Sequence, residues 1–205
     1  MRVAGAFAIV VAAIVCGTAL PLQAQALTYG VKGGITFANL AEEAAGETTT
    51  LDNRLGIAAG GFATWPLSGR FALQPEALFT QKGAKAEQGG GTLTQELDYL
   101  DVPVLIGCRL TGNDARHFAV FGGPALGVKL RARSRASFGG TAVEDDVSDQ
   151  VTATDFSVVG GVSYHRGRAS VEGRYAWGVS DIDKDTADDV KIRTRGISVL
   201  AGWRF

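Results

Sequence analysis

The sequence predicts an all-β fold, an eight-stranded antiparallel up-and-down transmembrane β-barrel, on three observations. Apolar and polar residues alternate with a period of two over eight separate stretches. The connections between those stretches are long and short in strict turn. A leader with a basic start and an apolar middle precedes all of them.

The leader comes first in the chain. Arg2 opens an apolar run from Val3 to Val15, and Leu22-Gln-Ala-Gln-Ala26 follows, with Ala24 and Ala26 in the small-x-small arrangement of a cleavage site. Residues 1–26 therefore read as a signal peptide and residues 27–205 as the barrel domain. Val3 to Leu22 approaches the length of a helical span, but Pro21 and the alanine pair favour cleavage over anchoring. Cys16 follows the bulky Val15, a poor context for lipoprotein processing, and leaves with the leader. So does Arg2, and 19 basic residues then face 21 acidic ones, a balance that gives nucleic acid no basic surface. Cys108 is left alone, so no internal disulfide is possible, and with only His117 and His165 no zinc cluster can form. No cofactor is expected. No apolar helical span follows the leader, which leaves a membrane barrel or a soluble β protein.

The eight stretches follow in order. In 27–37, Leu27, Tyr29, Val31, Gly33, Ile35 and Phe37 interleave with Thr28, Gly30, Lys32, Gly34 and Thr36. The second runs from Leu55 to Trp65. The third, Phe71 to Lys82, sets Gln74, Glu76, Thr80 and Lys82 on one face. In the fourth, Leu100 to Leu110, Val102, Val104, Ile106 and Cys108 oppose Asp101 and Arg109. Phe118 to Leu130 and Phe156 to Tyr164 come next. Ala169 to Val179 carries Glu172 and Arg174 on its polar face, and Thr194 to Phe205 completes the set.

Four connections are long, roughly 41–53, 83–96, 131–155 and 181–193. Three are short: Ser68-Gly-Arg70, Thr111 to Arg116, and Arg166-Gly167. Outer-membrane barrels sort their loops this way, with short periplasmic turns and longer extracellular loops, whereas a soluble barrel has no reason to. Taking Arg166-Gly167 as a two-residue loop pairs Tyr164 with Ala169, Val162 with Val171 and Ser163 with Ser170, which keeps apolar against apolar. Pro75, Pro103 and Pro124 fall inside proposed strands, so a local break in pairing is expected where Pro103 and Pro124 nearly face each other, with bulges as the usual accommodation.

The apolar face carries Tyr29, Phe37, Trp65, Phe71, Phe79, Phe118, Tyr164, Tyr175, Trp177, Trp203 and Phe205, many near strand ends, as interfacial aromatic girdles are. The other face carries Lys32, Glu76, Lys82, Asp101, Arg109, Lys129, Glu172, Arg174 and Arg204. Eight strands leave a lumen that side chains just fill. Lys32, Glu76, Lys82, Asp101, Arg109, Glu172, Arg174 and Arg204 are therefore expected to pair across it as a charge network that plugs the barrel, the basic surplus reaching the rims. At the C-terminus Ile197, Val199, Ala201, Trp203 and Phe205 alternate to the last residue. Ile197, Val199, Trp203 and Phe205 look like the signal by which barrel-assembly machinery recognises its clients.

Several motifs in order resemble the PorT-like outer-membrane β-barrel family. They are Tyr29-Gly-Val-Lys-Gly-Gly34, Leu73-Gln-Pro-Glu-Ala-Leu-Phe79 with Gln81-Lys-Gly83, and Tyr99-Leu-Asp-Val-Pro-Val104. Phe121-Gly-Gly-Pro124, the Gly160-Gly161 pair, Arg174-Tyr-Ala-Trp-Gly178 and Gly202-Trp-Arg-Phe205 continue the series, over essentially the whole mature chain. The resemblance implies an eight-stranded barrel in the outer membrane of a Gram-negative-type bacterium and strand prolines at these places. It implies no single activity.

Three motifs invite chemistry. Gly122-Gly-Pro-Ala-Leu-Gly127-Val-Lys129 lacks the lysine directly after the last glycine that a phosphate loop needs. Ser163, His165 and Glu172 share the polar face of one hairpin, as in barrel-embedded lipid hydrolases, but His165 and His117 fall at the periplasmic rim, far from outer-leaflet lipid. The acidic stretch Asp181-Ile-Asp-Lys-Asp185 with Asp188 and Asp189 fails the EF-hand pattern at Thr186 and Ile192, and Glu144-Asp-Asp146 with Asp149 is a second acidic patch. The expected function is a non-enzymatic structural or interaction barrel. Its surroundings are outer-membrane lipid and lipopolysaccharide, with an unidentified protein partner at the extracellular loops. The alternatives are a lipid-modifying barrel hydrolase and a soluble periplasmic ligand-binding barrel.

Overall fold

The structure is a computed structural model that describes residues 27–44, 47–50, 52–88, 91–112, 115–138, 141–148, 151–180 and 190–205. The signal peptide read at 1–26 and the acidic stretch from Asp181 to Asp189 lie outside the described residues. Ten strands follow one another: β1 (Thr28–Ala44), β2 (Glu47–Thr50), β3 (Asp52–Ser68), β4 (Phe71–Gln88), β5 (Gly91–Gly112), β6 (Arg116–Phe138), β7 (Thr141–Asp146), β8 (Thr154–Arg166), β9 (Ala169–Gly178) and β10 (Val190–Arg204). Eight of them, β1, β3, β4, β5, β6, β8, β9 and β10, pair antiparallel with their neighbours, and β10 pairs back onto β1, so the sheet closes with no free edge along the wall.

The register fixes the barrel's shape. Stepping across the pairs Trp65–Leu73–Ile106–Gly122–Gly160–Tyr175–Ile197–Phe37–Leu55 returns to β3 ten residues from the start. Eight strands with that stagger tilt by about 40° and enclose a lumen that side chains fill. The side chains alternate as the sequence demands. Tyr29, Trp65, Phe71, Phe118, Tyr164, Trp203 and Phe205 are exposed on the outside near the short turns, and Phe37, Leu55, Tyr175 and Trp177 nearer the other end. Tyr29 to Phe37 spans roughly 20 Å of barrel height at ~3.3 Å per residue and this tilt, close to the apolar band of an outer membrane.

Three of the four long loops expected from the sequence are not irregular. The expected 83–96 loop is the hairpin of β4 and β5, whose pairing runs out to Gln88 and Gly91. The expected 131–155 loop begins as a hairpin of β6 with β7, and the 41–53 loop continues β1 against β2. The physical reason is solvation. Beyond the membrane band a strand needs no continuous apolar face, so Thr48-Thr-Thr50 or Thr92-Leu-Thr-Gln95 show no alternation to read. β2 and β7 are the outer ends of the staves that β3 and β8 continue.

Two further expectations are corrected. The β8–β9 loop is Gly167-Arg168, not Arg166-Gly167, so Tyr164 faces Val171, Val162 faces Gly173 and Ser163 faces Glu172. Moving the loop by one residue shifts partners by two, which leaves every side chain on its expected face. Two-residue hairpin turns need a positive φ at their first loop residue, and Gly167 (φ 60°) and Gly69 (φ 57°) supply it. Gly167→Ala meets no neighbouring atom, so its expected cost is backbone strain alone, about 1–2 kcal/mol. A urea midpoint unchanged from wild type would contradict it.

Pro75, Pro103 and Pro124 sit in the ladder without a bulge. Pro103 pairs with Ala125, Pro75 with Val104 and Pro124 with Val158 in constant register, and the expected local break is present where rungs lapse between Pro103–Ala125 and Ile106–Gly122. Rungs also lapse beside Pro75, between Pro75–Val104 and Leu78–Asp101 and between Phe62–Glu76 and Trp65–Leu73. The bulges fall elsewhere, one of them at Pro66–Ser68. Close approach also constrains the wall: a Cβ on Gly34 would stand 2.0 Å from the Val199 carbonyl oxygen of β10.

Candidate functional site

The inward face is the chemical part of this molecule, and the tilt of the strands decides which of its residues meet. Lys32 on β1, Glu76 on β4, and Glu172 and Arg174 on β9 come to one level of the lumen. Lys32 Nζ lies 2.8 Å from Glu76 Oε1 and 3.0 Å from Glu172 Oε2. Arg174 Nη1 donates to Glu76 Oε2 at 2.9 Å, and its Nη2 reaches Glu172. Gln74 Nε2 adds a donor to Glu76 at 2.8 Å. Two cations and two anions form a closed quartet, and the Glu76 side chain has no exposed surface. Phe62 lies under Lys32 at 4.6 Å and Phe121 beside Arg174 at 5.5 Å, so ring faces cover the flanks of the cations.

Lys82 on β4 centres a second cluster. Its Nζ lies 3.0 Å from Asp101 and 3.2 Å from Asp155, and 4.8 Å over the Tyr99 ring. Thr194 and Ser180 hydroxyls donate to Asp155 at 2.8 and 3.1 Å. Between the clusters is a cavity of about 50 Å³, to which Lys82, Asp101 and Arg174 contribute together with Thr36, Leu78 and Leu200. That volume holds a few waters. On the far side of Lys82, Tyr99, Leu97, Ala84 and Ala132 form a fully buried apolar layer, with Val147 and Val151 packed against it. Val147 and Ser148 are tied to the Ala132 backbone, and Lys129 Nζ reaches the carbonyl oxygens of Ser148 and Val151. Val147, Ser148 and Val151, between β7 and β8, thus cover that end of the lumen.

The eight lumen residues named from the sequence do not make one network. Lys32, Glu76, Glu172 and Arg174 make the quartet, Lys82 and Asp101 the second cluster, while Arg109 and Arg204 line a separate cavity at the short-turn end. Arg204 Nη2 donates there to the Gly167 carbonyl at 2.7 Å. Asp155 was assigned to a loop by the sequence, yet it is fully buried. Its signal is parity: it lies two residues before Ser157 and eight before Ser163, on the same inward face. Ile197, Val199, Trp203 and Phe205 all stand exposed on the outer face.

Ser163, His165 and Glu172 do not assemble as a hydrolase would need. Ser163 Oγ and His165 Nε2 are 3.0 Å apart. Nδ1 of His165, where an orienting acid belongs, has no hydrogen-bond partner, and Glu172 is held by Lys32 and Arg174. The His165 ring instead stacks on His117, centroids 4.5 Å apart. Of the acidic patches, Glu144 pairs with Arg133, and Asp146 accepts the Ser148 N–H at 2.9 Å.

Among solved structures the chain is similar to Ail, the attachment invasion locus protein of Yersinia pestis, at 14% identity over 87% of this chain and 98% of that one, with a TM-score of 0.46. It is similar to Neisserial surface protein A at 11% identity over 88% and 100% of the two chains, with a TM-score of 0.47. OprG from Pseudomonas aeruginosa matches at 11% identity over 88% and 96%, also with a TM-score of 0.47. No curated protein matches the chain. The family model described as outer membrane protein beta-barrel domain matches residues 23–184. A closed ring of antiparallel strands, apolar outside and ion-paired within, carries that match across most of its length: the chain belongs to the outer membrane beta-barrel domain family.

Proposed function

We propose that this protein is a non-enzymatic outer-membrane barrel whose lumen is sealed and whose long hairpins face the cell exterior as an interaction surface. The observation that carries this is the stack of closures along the axis: the Lys32–Glu76–Glu172–Arg174 quartet, the Lys82–Asp101–Asp155 cluster, and the apolar layer at Tyr99 and Leu97. A channel leaves its charges solvated around an open axis, whereas here opposite charges satisfy one another at hydrogen-bond distance. The outward orientation rests on the short turns at Gly69 and Gly167, the kind found on the periplasmic side.

Residues 1–26 serve in this reading as a cleaved signal for export, and residues 27–205 as the mature barrel. The ordered motifs from Tyr29-Gly-Val-Lys through Gly202-Trp-Arg-Phe205 support membership of the PorT-like branch. Its surroundings are lipid and lipopolysaccharide. The barrel-assembly machinery meets it during insertion through Ile197, Val199, Trp203 and Phe205, and the partner at the hairpins is a protein.

The test combines two measurements. Unboiled protein from outer membranes is expected to migrate differently from boiled protein on a gel. The purified barrel is expected to show no steady conductance in planar bilayers. Recovery as a soluble periplasmic protein without a heat shift would remove the membrane reading. Reproducible single-channel steps, absent from a mock purification, would replace the sealed barrel with a pore.

A further inference from the structure

Each of the three short turns carries arginine: Arg70 between β3 and β4, Arg116 at the start of β6, and Arg166 and Arg168 on either side of Gly167. All four are exposed. They lie directly beyond the aromatic girdle of the outer wall. Arg70 adjoins Phe71, and Arg116 and Arg166 stand one pleat past Phe118 and Tyr164 on the same outward face. The rings of that pair pack at 4.8 Å. Arg116 and Arg166 are themselves cross-strand partners, so the ladder sets two cations opposite each other, an arrangement that is destabilising on its own. The rest of β6 is built the other way. Toward the long hairpins Arg131 faces Asp98, Arg133 faces Glu96 and Asp146, and Arg135 faces Glu144. Residues 66–71, 110–118 and 165–170 hold one acid, Asp114, which leaves at least three of the four arginines without an acid in these turns.

We propose that this arginine collar binds the phosphates of anionic phospholipid headgroups in the leaflet next to the short turns. A guanidinium fork matches phosphate oxygens in bidentate geometry. A phosphodiester beside Arg166 turns the repulsion of two opposed cations into charge-assisted contacts. The depth fits as well. Aromatic girdles mark the boundary of the apolar band, so side chains one pleat beyond them lie among headgroups. A net-anionic lipid is preferred to a zwitterionic one, whose own cation already neutralises its phosphate. The inference rests on the membrane reading of the barrel, but on neither the sealed lumen nor the partner at the hairpins. It uses the outer rim alone.

Spin-labelled phosphatidylglycerol and phosphatidylcholine, each added to the folded barrel in phosphatidylcholine vesicles, report which lipid the protein surface holds. A preference for phosphatidylglycerol of about twofold or more over the whole lipid shell is expected, falling as salt is raised. Arg70→Gln/Arg166→Gln/Arg168→Gln is expected to bring the two lipids to parity, whereas Arg131→Gln/Arg135→Gln keeps the preference. The heat shift on a gel verifies insertion, so a failure of the membrane reading shows before any lipid is compared. Arg166→Gln alone serves if the triple variant does not fold. A second readout changes sign. In phosphatidylcholine Arg166→Gln is expected to raise the urea midpoint by removing an opposed cation, and in phosphatidylglycerol to lower it by removing a lipid contact. Equal association of the two lipids with the wild type, loss of the preference in the hairpin variant, its retention in the triple variant, or a midpoint that moves the same way in both lipids would overturn the proposal. Cosedimentation with isolated peptidoglycan that the triple variant loses, without any lipid preference, would assign the collar to the cell wall instead.

Discussion

Glu76→Ala is expected to destabilise the folded barrel by about 3–5 kcal/mol, the cost of stranding buried charge. Glu76 accepts from Lys32, Arg174 and Gln74 with no side-chain surface left to water. Its removal leaves two cations sharing Glu172 alone in a lumen that admits little water. The neutralising change is the informative control. Lys32→Met/Glu76→Leu deletes one cation and one anion together and leaves Arg174 paired with Glu172. It is therefore expected to recover most of the loss, because an ion pair replaced by apolar groups of similar volume is often neutral in stability. Urea unfolding of the barrel in lipid vesicles measures both variants. A Glu76→Ala midpoint like that of the wild type, or a double variant as unstable as the single one, would show that the quartet does not act as a coupled unit.

Phe205→Asp is expected to cut the yield of inserted protein severely, while Thr49→Asp in a long hairpin leaves it near wild type. The geometry makes the comparison sharp. Phe205 is 61% exposed on the lipid side, packs against Tyr29 at 5.9 Å, and is tied to the Tyr29 carbonyl through its backbone N–H at 2.9 Å. The backbone bond survives any substitution. A charge on the lipid face near an interface costs only about 0–1 kcal/mol. Thermodynamics alone thus predicts a small effect, and a large fall in yield reports recognition of the terminal strand during assembly. The check is to refold Phe205→Asp in vitro and compare its urea midpoint with its yield in cells. Equal membrane yields for the two variants would count against a terminal signal, and a collapsed midpoint would assign the defect to folding itself.

The two faces of the wall were legible because the membrane and the lumen are different solvents. Tyr29, Val31, Ile35 and Phe37 alternate with Lys32 and Thr36 for that reason, and the pattern fixes each side chain's face even where the partner was misjudged, as at Gly167-Arg168. The strand ends were not legible. Past the membrane band the strands need no continuous apolar face, so 83–96 and 131–146 read as loops although they continue the sheet, and the buried Asp155 was lost with the same expected loop. Backbone pairing needs no apolar face, so hairpins persist where the code that announces them has stopped.

The sequence by itself determined the barrel, the inward or outward face of nearly every strand residue, and most of the charges that are buried, Asp155 excepted. It did not determine who meets whom. Lys32 is 44 residues from Glu76 and 140 from Glu172, and no local pattern sets them at one height. That is decided by the stagger of ten residues around eight strands, a property of the closed ring and of no single hairpin. The same stagger leaves Arg109 and Arg204 at the mouth and places Lys82 with Asp101 and Asp155 beyond the quartet. Local alternation selects the face because it is set by the backbone's two-residue period, while height along the axis accumulates over every pairing and exists only once the sheet has closed.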